Sequence, residues 1–459
     1  MKEISELIEK YNAPVPRYTS YPPANFFNDA VGETEYVKMI EQSDADKSNL
    51  IAFYIHVPFC KKICFYCGCN ACTIRNDDAV DDYFTTLHKE IDNIIARLDK
   101  NRKISQIHFG GGTPNAVDVS YLTAITGKLL RQFQTIEKPE IAIECNPAYL
   151  DNSYIQKLVA AGFNRFSLGI QDFDTEVLKT VNRQPSAVPV EDLVTYIKSL
   201  SPGISVNLDF IYGLPGQTVE SFTETIRKAA AIRPDRLVTF SYAHVPWMKK
   251  HQQILEKKGL PGPGEKMDMF LGSRDILLEA GYKAIGLDHY VLPEDELNTA
   301  LENNMLHRNF QGYCTKRTTG QVYAFGVSAI SQLENGYTQN VKEIKQYKEL
   351  IENGKLPVEK GYELTDNEAI VRDVITQVMC NDAFDMNAFS AQHGISPDQF
   401  LEITGFKEER LSEMISDGLI QYGDHRLQVN ESGKLFIRNL AVLFDPAYKS
   451  KPMQYSKTV

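Results

Sequence analysis

The run Cys60-Lys-Lys-Ile-Cys64-Phe-Tyr-Cys67-Gly-Cys69 concentrates four thiols directly after an apolar, strand-like segment. Three thiolates spaced four and then three residues apart can wrap a loop around one face of a cubane iron–sulfur cluster. A fourth protein thiolate would complete the ligation usual for electron transfer, whereas three leave one iron open. An open iron can chelate the amino and carboxylate groups of S-adenosylmethionine, and an electron from the cluster then cleaves its sulfonium bond. The product is a carbon radical able to take hydrogen from an unactivated C–H, with the protein supplying orientation and isolation. The alternative is a structural zinc site, where C-x-x-C is common. Such sites recruit a second ligand pair about 12 or more residues away, and no such Cys/His pair follows here. The single cysteines Cys145, Cys314 and Cys380 read as small core hydrophobes, and the clustering of the others is unlike a secreted disulfide framework.

Other polar residues fall where a site would need them. Phe109-Gly110-Gly111-Gly112-Thr113-Pro114 closes a second strand, and its missing side chains allow backbone to approach a ligand closely. It lacks the spacing of a Rossmann or P-loop motif, and a tight strand-to-helix turn is the plainer reading. Glu144, Gln171, Asp209 and His244 each lie late in later strands.

The elements that must position these residues alternate. Apolar, β-rich runs occur at 50–59, 104–112, 140–145, 165–171, 205–213 and 236–244, each followed by helix-like sequence. Val80, Phe84, Leu87, Ile91, Ile94 and Leu98 recur at steps of three and four, which predicts a helix over 77–98. This alternation implies an α/β fold with a parallel sheet and an active site at the strands' C-terminal ends. Six units suggest a partial (β/α)6 barrel, to which 284–290 and 322–330 add strands or late connections. Past about residue 360, two helical stretches and a hairpin turning at Gly423–Asp424 resemble a winged-helix module. Residues 361–459 hold 15 acidic and 9 basic residues, which argues against a DNA-binding wing. The expected organisation is a lead-in arm over 1–49, a barrel over 50–350 and a mainly helical domain over 351–459.

The net charge of −11 argues against nucleic acid as the main partner. The polar N-terminus and the lack of a long apolar run predict a cytoplasmic protein with no membrane span.

At these motifs the chain resembles the oxygen-independent coproporphyrinogen III oxidases of the radical S-adenosylmethionine superfamily, over nearly its full length. The resemblance rests on PRYTSYP (16–22), YIHVPFC with its CxxxCxxCxC (54–69), HFGGGTP (108–114), GIQDF (169–173), VNR (181–183), DFIYGLP (209–215), HRNFQGY (307–313) and GVSAIS (326–331). It implies oxidative decarboxylation of two propionates of coproporphyrinogen III to vinyls by a 5′-deoxyadenosyl radical, giving protoporphyrinogen IX without oxygen. It also implies a 4Fe–4S cluster on Cys60, Cys64 and Cys67, a catalytic but non-ligating Cys69, and two S-adenosylmethionines per chain. Tyr54, Gly111, Glu144 and Ile330 match contacts of the first. Tyr66, Gly112, Thr113, Gln171, Arg183, Asp209 and Ala243 match contacts of the second, Tyr66 standing where the family pattern carries Phe. Arg17, Tyr18 and Arg308 are expected on the substrate side. The chain is expected to be a monomer reduced by a flavodoxin or ferredoxin. A related haem-opening methyltransferase shares the cysteine loop, and a related haem chaperone lacks PRYTSYP and Cys69, both present here.

Overall fold

A computed structural model describes residues 4–44, 49–316, 318 and 321–448, the side chain of Ser5 apart. The outer ends of the first and last expected segments, 1–3 and 449–459, lie outside them. The six strand-like runs become β1 (Leu50–Val57), β2 (Lys103–Gly111), β3 (Gln134–Cys145), β4 (Arg165–Gln171), β5 (Ser205–Tyr212) and β6 (Arg236–Ser241). They pair in parallel in chain order, β1 to β6. The crossovers between them carry helices, as parallel pairing requires.

The segment 284–290 forms a short hairpin, β7 (Lys283–Ile285) with β8 (His289–Val291), and β8 runs antiparallel against β6. The segment 322–330 provides β9 (Gln321–Phe325), parallel to β1, and the start of β10 (Ile330–Leu333). β11 (Gly336–Asn340) and β12 (Val358–Glu363) extend that edge. Among the described residues this makes one twelve-stranded sheet, in the order β12-β11-β10-β9-β1-β2-β3-β4-β5-β6-β8-β7. The edge strands β12 and β7 do not pair with each other, so the barrel is partial and unclosed along that side.

Burial explains the strand sequences. β1 is buried almost throughout, hence its unbroken apolar run. β5 alternates, with Val206, Leu208, Phe210 and Tyr212 buried and Ser205, Asn207, Asp209 and Ile211 on the opposite, more open face. The predicted helix runs Asp77–Ile95, started by the Asn76 side chain accepting from Ala79 N–H at 3.0 Å. It stops before Leu98, where Lys100 Nζ donates to the Ile95 carbonyl. On this helix the buried Glu90 accepts from Gly326 N–H (2.8 Å), Asn340 Nδ2 (2.6 Å) and Tyr347 Oη (2.6 Å), which fixes the β9–β10 turn.

The C-terminal part has a capped helix Asp366–Cys380, a strand Ala383–Asp385, helices Met386–His393 and Pro397–Thr404, and a hairpin Ile420–Gly423/Arg426–Val429. The three strands form one small sheet in the winged-helix arrangement. The hairpin turns one residue later than expected. Gly423 still pairs with Arg426, and Asp424 and His425 take the two positive-φ positions of the tight turn. Among the described residues, no helix is long and apolar enough to cross a membrane.

Candidate active site

The cysteine loop hangs between two short parallel strands, Phe59–Cys60 and Cys72–Thr73, just past the C-terminal end of β1. Its backbone is tied at several points: Phe65 N–H to Val181 O (2.9 Å), Cys72 N–H to Pro58 O (2.8 Å) and Asn182 Nδ2 to Ile63 O (2.7 Å). From the other side His251 Nε2–H donates to Cys67 O (2.8 Å), Gln252 Nε2 to Tyr66 O (2.9 Å) and Lys249 Nζ to Cys69 O (2.7 Å). His56 completes the tethering. Its Nε2 lies 2.9 Å from Asn70 O and must carry the proton, so Nδ1 accepts from Tyr54 Oη at 3.2 Å. Burial lowers the His56 pKa, in keeping with this neutral form.

All four thiols of the motif are free. Burial pushes the Cys60 thiol up to about 11, against a 3.3 Å contact with Thr113 Oγ1. A thiol so placed ionises at neutral pH when a metal centre takes its proton's place. A hydrogen bond from Cys69 holds the Cys67 thiol down to about 6, helped by the charges of Lys249 and His251 against burial. The same bond holds the thiol of the exposed Cys69 well above its usual range. Arg183 Nη1 lies 3.7 Å from Cys64 Sγ. Among the described residues no three His, Cys, Asp or Glu side chains converge as one metal ion requires. Each thiolate of a cubane binds a different iron, so ligands of such a cluster need not converge as those of a single ion do.

The glycine run lies against this loop. Gly112 N–H donates to Val57 O (2.8 Å) and Thr113 N–H to Phe59 O (2.9 Å), zipping the end of β2 to the entry of the loop. A Cβ on Gly112 would sit 2.8 Å from the Pro58 backbone, and one on Gly110 would sit 2.7 Å from Glu144 Oε1. Close approach of chain to chain therefore demands Gly112, whereas the Glu144 carboxylate beside Gly110 is the movable end of a side chain.

Across the sheet, register brings the remaining residues to one opening. Tyr54 stands beside His108, and Glu144 beside Ser167. Burial would raise Glu144, but the 3.1 Å bond and charge of His108, with Gly111 N–H, outweigh it and hold the carboxyl below its usual value. Ser167 Oγ and Asn207 Nδ2 each donate to Asp209 at 2.7 Å, yet burial still raises its carboxyl to about 6. A bulge at the end of β4 leaves Gln171 at φ 72°, an uncommon conformation for a non-glycine residue. Gln171 Oε1, Asn207 Oδ1 and Arg183 Nε are buried polar atoms with no protein partner. Such atoms at one opening suit a polar ligand. Ala243 lies just past β6, its carbonyl taken by Gln252 Nε2 at 3.2 Å, and Ile330 opens β10. His244 is committed to Tyr242 Oη and Glu256 Oε1, each at 2.9 Å.

The arm is clamped from the C-terminal side. Tyr11 Oη donates to Asp417 and Tyr18 Oη to Asp445, both at 2.8 Å, and Arg438 Nε donates to Pro16 O at 3.0 Å. Tyr18 is buried; Arg17 is exposed, and its carbonyl accepts from Arg308 Nη1 at 2.9 Å. The two guanidiniums help hold Asp288 below its usual range, against burial and after His289.

Residues 54–229 match the model of the radical SAM superfamily, and 364–436 match that of the HemN C-terminal domain. The oxygen-independent coproporphyrinogen III oxidase of Synechocystis sp. is 37% identical over 459 residues, covering 99% of this chain and 98% of that protein. The enzyme of that name from Escherichia coli K12 is 36% identical over 455 residues, with 99% and 98% covered. This chain belongs to the oxygen-independent coproporphyrinogen III oxidases. The solved structure of the Escherichia coli coproporphyrinogen III oxidase, described as a radical SAM enzyme, superposes with a TM-score of 0.87 at 35% identity, covering 96% of this chain and 98% of that one. Membership carries the radical SAM chemistry of a 4Fe–4S cluster and S-adenosylmethionine.

Sequence reasoning missed His56, His108, Ser167 and Asn207, which orient Tyr54, Glu144 and Asp209. A signal was present: each is a polar residue inside an otherwise apolar strand, two positions or one register step from a candidate.

Proposed function

We propose that this chain converts coproporphyrinogen III to protoporphyrinogen IX in haem biosynthesis, oxidatively decarboxylating two propionates to vinyls without oxygen. The observation that carries this reading is the tethered loop of Cys60, Cys64 and Cys67 facing buried, unpartnered polar atoms across a glycine-lined mouth. When bound, the cluster and S-adenosylmethionine supply a one-electron cleavage that yields a hydrogen-abstracting carbon radical.

The chain's own residues do the rest. Cys60, Cys64 and Cys67 hold the cluster, and Cys69 tunes Cys67 by its hydrogen bond without ligating. Tyr54, Gly111, Glu144 and Ile330 receive one adenosylmethionine, and the low Glu144 pKa leaves a carboxylate ready for its ammonium group. Tyr66, Gly112, Thr113, Gln171, Arg183, Asp209 and Ala243 receive a second. Arg17 and Arg308 meet substrate carboxylates at the rim, while Tyr18 anchors the arm. The arm and the C-terminal domain exclude water from the mouth. We read the chain as a cytoplasmic monomer that draws its electrons from a flavodoxin or ferredoxin.

Purified protein reconstituted without air and given dithionite, S-adenosylmethionine and coproporphyrinogen III should form two vinyls per substrate, read as protoporphyrin fluorescence after oxidation. Haem supplied instead should be left unchanged. Ring opening of haem, or no vinyl formation with a full cluster, would overturn the assignment.

A further inference from the structure

Trp247 and Met248 are 71% and 72% exposed, more than any other large apolar side chain among the described residues. They sit on the segment that grips the cysteine loop: Lys249, His251 and Gln252, immediately beyond them, are the residues bonded to the carbonyls of Cys69, Cys67 and Tyr66. The segment is built to be firm. Gln252 is fully buried, and its Oε1 accepts from Val245 N–H at 2.6 Å, so the two apolar side chains are presented from a braced turn. Ile254, further along the same stretch, is also exposed.

The charge around them runs against the rest of the molecule. The chain carries −11 overall, yet residues 244–258 contain Lys249, Lys250, Lys257 and Lys258 and the single carboxylate Glu256. Glu256 is engaged by His244 at 2.9 Å. Lys62, on the cysteine loop itself, is exposed as well. Exposed apolar side chains flanked along the chain by exposed lysines are the form of a transient interface that steers an acidic partner and holds it briefly. The net charge of −11 disfavours an acidic partner on average, and this lysine-bearing segment offers it the opposite sign.

We infer that Trp247, Met248, Lys250 and Lys257 form the docking surface for a small acidic one-electron carrier protein, seated against the outside of the cysteine loop. This rests on the cluster reading above. One electron leaves the carrier's reduced centre, which is oxidised by one, and the loop's 2+ cluster is reduced to 1+; no atom or proton is exchanged. Among alternatives, a role confined to bracing the loop would not require the apolar pair to be exposed.

Trp247 is the only tryptophan in the chain, which makes it a site-specific reporter. A tryptophan-free acidic 2Fe–2S ferredoxin, oxidised, should quench its emission saturably. The quenching should disappear as salt rises from about 0.01 to 1 M, where the screening length falls from ~30 to ~3 Å. The Lys250→Glu/Lys257→Glu double variant, which keeps the reporter, should bind at least about tenfold more weakly. Its turnover driven by reduced ferredoxin should fall in step, while turnover driven by dithionite, which needs no docking, stays at the wild-type rate. Emission that ignores the ferredoxin, undiminished binding by the variant, or equal loss with both reductants would overturn the proposal. Failure of the wild type to make vinyls with dithionite would instead strike the functional reading, and the fluorescence titration would still decide the docking surface.

Discussion

At the scale of single residues, the thiols differ by surroundings more than by spacing. Cys60 is dry, Cys67 is stabilised as an anion by Cys69, and Cys64 lies beside a guanidinium. Replacing Cys60, Cys64 or Cys67 by Ala should abolish iron–sulfur absorption in anaerobically reconstituted protein. Cys69→Ser should keep the iron and slow turnover; loss of the cluster as complete as in Cys64→Ala would sink the three-ligand assignment. Asp209 invites a second test. Its pKa is raised on folding from 3.8 to about 6, so the folded state holds its proton more tightly than the unfolded chain. Its contribution to stability is therefore greatest below pH 4 and is lost as pH rises through 6, by at most about 3 kcal/mol. Asp209→Asn should remove that loss, raising the melting temperature at about pH 7.5 relative to that at about pH 4.5 when compared with the wild type, while weakening S-adenosylmethionine binding. An unchanged gap would show that the carboxyl does not titrate on folding.

At the scale of elements, the site is made by strand ends that come unusually close. β2 and the start of the cysteine loop share two backbone bonds at Gly112 and Thr113, with no room for a methyl group between them. Gly112→Ala drives a Cβ against backbone, which cannot rotate away as a side chain would. We expect a loss of about 1–3 kcal/mol together with lower iron content, because the displaced segment carries Cys60. Thermal unfolding and iron analysis on the same preparation check this. Wild-type values for both would mean that the Pro58 backbone shifts freely.

At the scale of the whole molecule, one continuous core runs from Leu7 through the barrel to Phe444. The arm is thus part of the folded body, pinned by Asp417, Asp445 and Arg438, and it carries the exposed cation Arg17, whose carbonyl accepts from Arg308. Deleting the arm would remove core, so a point variant is the cleaner probe. Arg17→Ala should leave the melting temperature unchanged and raise the KM for coproporphyrinogen III about tenfold, the loss of one charge-assisted contact. An unaltered KM would confine the arm to a structural role.

What the sequence determined by itself was whatever depends on local pattern. Apolar runs and their spacing marked all six parallel strands, because burial on one or both faces leaves an alternating or a continuous apolar signature. The cysteine motif and the glycine run were legible because ligand geometry and close backbone approach tolerate few residue types. The tertiary structure alone decided the rest. That β9 joins β1 in parallel, that the hairpin turns at Asp424–His425, and that His56, His108, Ser167 and Asn207 serve the site all depend on register between strands far apart in sequence. Whether Tyr18 faces substrate or Asp445 is likewise a matter of packing. An exposed Trp247 beside the cysteine loop is invisible in one dimension, since Cys69 and the lysine that holds its carbonyl stand 180 positions apart in the chain.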